Sequence, residues 1–149
     1  MSRDETDQGL SLFAGYQRFY GVVEPDDAQN RRFFARFAEP SGDGLLLGAW
    51  DDRALVGFAC LYWTFSSVSA ARIALLSDLF VTEGARGRGL GTALIGAALD
   101  ATRRHGLRHL EWYTAPDNEI ARRLYDATGA RRSTWIGYQI HIGGDRSGR

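Results

Sequence analysis

The stretch from Val81 to Leu94 constrains the fold more than any other part of the chain. An apolar, strand-like run ends at Val81, and a glycine-rich loop follows as Thr82-Glu83-Gly84-Ala85-Arg86-Gly87-Arg88-Gly89-Leu90-Gly91-Thr92. Leu90, Ala93, Leu94, Ala97, Ala98 and Ala101 then recur at three- and four-residue spacing, the mark of an amphipathic helix. A strand that turns through glycines into a helix leaves the first helical amides without intrahelical partners, and the helix dipole adds partial positive charge there. Such a junction cradles anions, and bare glycine backbone lets a diphosphate come close. Arg86 and Arg88 can add side-chain charge.

Three phosphate-binding patterns compete for this loop. A P-loop needs Gly-Lys-Ser/Thr after four spacer residues, and the loop has no lysine. The dinucleotide pattern G-x-G-x-x-G is matched only out of order, by Gly87, Gly89 and Gly91, and the loop follows several antiparallel strands instead of opening a βαβ unit. The pattern that fits is R-x-x-G-x-G, read as Arg86-Gly87-Arg88-Gly89-Leu90-Gly91. A second block runs Asn118-Glu119-Ile120-Ala121-Arg122-Arg123-Leu124-Tyr125-Asp126-Ala127-Thr128-Gly129, and a third runs Leu76-Ser77-Asp78-Leu79-Phe80-Val81.

In these three blocks the chain resembles the GNAT superfamily of N-acetyltransferases, and in the third block its spermidine/spermine N-acetyltransferase-like branch. The resemblance implies an α/β fold with a mixed, mostly antiparallel twisted sheet. About four helices would flank it, and it would splay at its two central parallel strands. It also implies acetyl-coenzyme A as co-substrate. The cofactor-binding residues would be Leu79 and Val81 at the splay, Arg86, Gly87, Arg88, Gly89, Leu90, Gly91 and Thr92 in the cradle, and Asn118 on the cofactor arm. Tyr125 would be the general acid that protonates the departing thiolate. Two departures stand out: Ser77 replaces the first member of an acidic pair, and residues 1–8 are too polar for the family's first strand, so they are expected to be a disordered tail. Neighbours on a strand face opposite ways, so Ser77 and Asp78 share a face only across a bulge.

The reaction needs a deprotonated amine, and an alkyl ammonium has a pKa near 10.4. Asp78 is the candidate base, directly or through water. Trp63, Phe65, Trp135 and Tyr138 are the candidate substrate-binding aromatics, able to attract a cationic amine through their ring faces. The product class is then an acetylated primary amine of a small molecule, polyamine-like or amino-acid-like. A non-catalytic acyl-coenzyme A sensor, or an enzyme acting on protein lysine or an N-terminus, are the alternatives.

The remaining chain reads as one domain over residues 1–149. Helices are expected near 10–20 and from Pro25 to before Pro40, with a hairpin of 45–50 and 54–65 across Asp51-Asp52. Further strands are expected at 73–81, 107–114 and 133–142, the last bent at Gly137 and mostly apolar from Trp135 to Ile142, which suggests a homodimer interface. The 18 basic and 18 acidic residues cancel, so no global field favours nucleic acid or an acidic membrane. No apolar stretch approaches the ~20 residues needed to span a bilayer. The polar N-terminus carries no signal peptide, which implies a cytoplasmic location. Lone Cys60 lies in an apolar run, as a buried thiol would. His105, His109 and His141 lack ligand spacing, so no metal is expected.

Overall fold

The computed structural model describes residues 1–39, 41–140 and 142; the expected helix stop at Pro40, and His141, lie outside them. Ser2 opens α1 (Arg3–Gln8) with a capping box: its hydroxyl accepts from the Glu5 amide, and the Glu5 carboxylate accepts from its own. That reciprocal cap satisfies two orphan donors. Thr6 packs down to 1% exposure, so residues 3–8 form a docked helix and not the expected disordered tail. Helix α2 (Leu10–Phe19) follows. Asp26 then caps α3 (Asp27–Phe34) by accepting from the amides of Ala28 and Gln29. The helix ends at Phe34, short of the expected reach toward Pro40.

Strands β1 (Gly44–Asp51), β2 (Ala54–Ser66) and β3 (Ala71–Val81) form an antiparallel meander, and β4 (Leu110–Glu111) adds to β3 in parallel, giving the order β1-β2-β3-β4. Asp52 takes the positive φ that the β1–β2 turn requires. Helix α4 (Leu90–Arg104) crosses from β3 to β4, with Gly106 just beyond its end, and α5 (Glu119–Asp126) follows. The expected strand over 107–114 contracts to two residues. Where the alternation of residues 133–142 predicts a closing strand, no strand forms among the described residues, and Trp135 is 89% exposed.

The sheet carries one core on each face. Leu45, Ala59, Leu61, Trp63, Ala74 and Leu76 meet Leu94, Ile95, Ala98 and Ala101 of α4. Leu46, Phe58 and Cys60 meet Leu10, Leu12, Phe13 and Phe34 of α2 and α3. Period-two alternation of β2 assigns odd positions to α4 and even positions to the N-terminal helices. Full burial of Leu94 or Ile95 contributes about 1.5–3 kcal/mol each.

Strand β3 changes parity partway. Cys60 pairs with Asp78 and Leu61 with Leu76, so Ser77 is left without a partner. A bulge therefore lies at Ser77, the condition under which Ser77 and Asp78 can share a face. Ahead of it Ala74 and Leu76 face α4; beyond it Leu79 and Val81 do. Asp78 and Phe80 therefore turn toward α2.

Candidate active site

Strands β3 and β4 pair only at Ala74–Leu110 and Leu75–Glu111. Beyond Leu75, β3 runs on to Val81 without a strand neighbour on that side among the described residues, and the two parallel strands separate. The Thr82 amide donates to Val56 of β2 at 2.9 Å. Amides alternate in direction along a ladder, so those of Val81 and Leu79 point away from β2, into the gap. The Arg86 Nε donates to the Val81 carbonyl on that same side at 3.0 Å, and this bond closes the end of the opening.

The gap is a cleft of about 380 Å³. Leu79, Phe80 and Val81 line one wall, the glycine loop and the head of α4 line its end, and Asn118, Ala121, Leu124 and Tyr125 line the other wall. Gly87 and Gly89 hold φ of +74° and +79°, a region open to glycine at little cost. Gly89 starts α4 without a side-chain cap, and the first backbone bond of the helix runs from the Ala93 amide to the Gly89 carbonyl. The amides of Leu90, Gly91 and Thr92 therefore have no acceptor within the described residues. They face the cleft at the positive end of a fifteen-residue helix, which fits a diphosphate.

Arg88 is the exception in the cradle. Its guanidinium grips Asp51 of β1 at 2.6 and 3.1 Å, and it does not line the cleft. The pair holds the Asp51 carboxyl below its usual range. Asn118 lines the cleft but also works as a helix cap, its Oδ1 accepting from the Ala121 amide at 3.1 Å. Tyr125 is half-buried with its ring 5.5 Å from Trp112. Burial first, and then repulsion from Tyr20 in its phenolate form, push its phenol above the ordinary value, which keeps the proton that a general acid must hold.

Asp78 sits on the α2 side beside the cleft, where its Oδ1 accepts from the Tyr16 hydroxyl. The Tyr62 phenol nearby is pushed up to about 12, chiefly by burial. The Cys60 thiol is raised by burial and then by the Asp78 charge, as suits an inert structural thiol.

The expected substrate aromatics lie elsewhere. Trp63 is buried against α4 with its ring 4.1 Å from His105, and its Nε1 has no acceptor among the described residues. Phe65 is 75% exposed under the Arg72 guanidinium. Both flank a second concavity of about 500 Å³ at the far end of the sheet, beside the Arg36–Asp43 ion pair. No helix N-terminus lies among the residues lining that groove, so it lacks the anion cradle of the cleft. Trp135 and Tyr138 lie exposed on the C-terminal arm. In their place the cleft mouth is formed by Phe19 and Tyr20 at the end of α2, and by Phe80. The spacing of Tyr16, Phe19 and Tyr20 at i, i+3 and i+4 was the available signal for that wall.

The model of the GNAT acetyltransferase family matches residues 10–130. The chain is a GNAT N-acetyltransferase. It is 37% identical to the uncharacterized N-acetyltransferase YhfO of Bacillus subtilis (strain 168), over 88% of this chain and 87% of that protein. It is 30% identical to the D-amino-acid N-acetyltransferase of Saccharomyces cerevisiae over 76% of this chain and 71% of that one. A crystal structure described as "a probable acetyltransferase" superposes with a TM-score of 0.83 at 27% identity, covering 97% of each chain. The GNAT architecture, a mixed sheet with parallel β3 and β4 flanked by helices, is thus shared, and acetyl-coenzyme A is the general acyl donor of the family. No helix among the described residues is long and apolar enough to cross a membrane.

Proposed function

We propose that this GNAT enzyme acetylates the primary amine of a small molecule, polyamine-like or amino-acid-like, by direct attack, with residues 1–149 acting as one catalytic domain in the cytoplasm. The observation that carries the reading is the meeting of two features in one cleft: bare amides at the head of α4 and the protonated phenol of Tyr125. The D-amino-acid specificity in the yeast relative's name adds support for a small amine.

Acetyl-coenzyme A supplies the activated acyl group when bound. The amides of Leu90, Gly91 and Thr92 hold its diphosphate, and Leu79 and Val81 offer backbone to the arm that enters the splay. The Val81 amide would meet charge developing on the acyl oxygen, and such a preorganised donor acts without reorganisation cost. Asp78 draws the proton from the amine, directly or through water, and Tyr125 returns one to the leaving sulfur.

The arm at 133–142 supports a homodimer. Ile136, Tyr138, Ile140 and Ile142 alternate and are all exposed, an apolar strand pattern without a strand partner among the described residues.

The test is release of free thiol from acetyl-coenzyme A across a panel of primary amines, with the mass of the species in solution measured alongside. Turnover on at least one amine is expected. Tight cofactor binding with no turnover on any amine would make the chain an acyl-coenzyme A sensor.

A further inference from the structure

Asp78 is a half-buried carboxylate whose neighbourhood is aromatic. Helix α2 places Tyr16 and Tyr20 one turn apart on one face, their ring centroids 5.1 Å apart, and Tyr16 lies 5.6 Å from Phe80. Tyr20 and Phe80 also line the cleft, so the rings join the carboxylate to the place of acyl transfer. The Ser77 bulge makes this possible, because without it Asp78 would point into the α4 core.

The Tyr16 hydroxyl donates to Asp78 Oδ1. Burial and the Asp78 charge both raise the Tyr16 phenol, so it stays a donor. No ion pair involves Asp78 among the described residues, and the chain contains no lysine at all. A carboxylate drawn from water without a cation is costly, and a ligand ammonium would supply one. The residues lining the cleft include no carboxylate of their own, which leaves Asp78 beside it, while Arg86 contributes a positive charge to the lining. A second ammonium would meet Arg86 and have no acidic partner.

We infer that Asp78, Tyr16, Tyr20 and Phe80 form a subsite for a single ammonium group on an aromatic stem, with Tyr16 as the positioning residue that fixes the carboxylate. This rests on the acetyltransferase reading and chooses within it: an aromatic monoamine or aromatic amino acid is the substrate, and a polyamine is not.

The first measurement is kcat/KM for 2-phenylethylamine against spermidine and against ethylamine. The aromatic amine should lead both by about tenfold or more, the scale set by burying a ring-sized apolar stem. Preference for spermidine, or parity with ethylamine, overturns the subsite. The second is Tyr16→Phe, which keeps the ring and removes the clamp. Losing a hydrogen bond to a charged group should raise KM for the amine about tenfold, with KM for acetyl-coenzyme A unchanged. An unchanged amine KM, or an equal rise in both, overturns the positioning role. Should that variant not fold, Tyr20→Leu at the exposed cleft mouth serves in its place, with the same split expected and the same result overturning the subsite. Calorimetry of 2-phenylethylamine on the protein loaded with coenzyme A separates the two readings. Tyr16-dependent binding without turnover on any amine keeps the subsite and removes the transferase; turnover of 2-phenylethylamine independent of Tyr16 does the reverse.

Discussion

At the Val81 end of the β2–β3 hairpin, β3 loses its parallel neighbour and its Leu79 and Val81 amides open onto the cleft; at the Ser66–Ala71 end the strands turn back on each other. Both ends are rich in aromatics: Phe19, Tyr20 and Phe80 gather at the first, Trp63 and Phe65 at the second. Phe65 pairs with Arg72 beside the turn while Phe80 pairs with Phe58 toward the other end, so the two groups are separated by most of the strand. Aromatic density is therefore a poor guide to the reacting end of a sheet. Unpartnered backbone beside an uncapped helix head distinguishes it, because those groups must find an acceptor or stay exposed to water.

The comparison breaks most readily at the cradle. Gly91 has an ordinary backbone, and a β-carbon there would meet only the flexible tip of Leu124 at 2.9 Å. Gly91→Val should leave a folded protein that no longer binds coenzyme A measurably by calorimetry. Gly89→Val should lose binding too and also melt earlier, since φ of +79° is strained for a branched residue. Unchanged cofactor affinity in Gly91→Val would move the site away from the Val81 end altogether.

Removing the phenol of Tyr125 is a smaller perturbation. Tyr125→Phe should lower kcat by ~100-fold, the usual scale for losing a general acid, with cofactor affinity nearly retained. The raised phenol also fixes a pH dependence. A group held protonated in the fold contributes stability that is intact below its unfolded value, near 10 for tyrosine, and that is lost as pH rises through the folded value. The wild-type kcat should therefore show no alkaline fall from Tyr125 below about pH 10. An alkaline limb at pH 8 that vanishes in Tyr125→Phe would assign the proton to a different environment.

How much of this was legible beforehand follows from how local each signal is. The meander, α2, α4 and the cradle could be read because hydrophobic period and glycine spacing are properties of the segment itself. The bulge at Ser77 was not legible in this way, since two neighbouring polar residues fit a regular strand as well. Helix α1 is hidden by its polar composition, although Ser2 and Glu5 stand at capping-box spacing. Residues 107–114 and 133–142 are rich in apolar and aromatic residues as strands are, yet a strand exists only where a partner runs beside it; β4 finds two pairs and the arm finds none among the described residues. Arg88 could not be foreseen as the partner of Asp51, since that contact depends on how the β1–β2 turn folds back over the loop. That Trp63 and Phe65 lie away from the cleft could not be foreseen for a related reason: which end of a strand meets the splay is set by the whole sheet.

The far end supplies the smallest kinetic effect and the sharpest control. Trp63→Ala empties a buried position in the α4 core and leaves His105 without its stacking partner. Such a truncation costs about 3–5 kcal/mol, so the thermal midpoint should fall by many degrees. Phe65→Ala removes a ring that is mostly in solvent and should barely change the melt. Neither change touches the cleft, so each folded variant should keep KM for the amine and for acetyl-coenzyme A within about twofold, the sensitivity expected of residues that act only through stability. A Phe65→Ala enzyme with wild-type melting and a strongly raised amine KM would place the amine in the far groove, and the two ends of the hairpin would exchange roles.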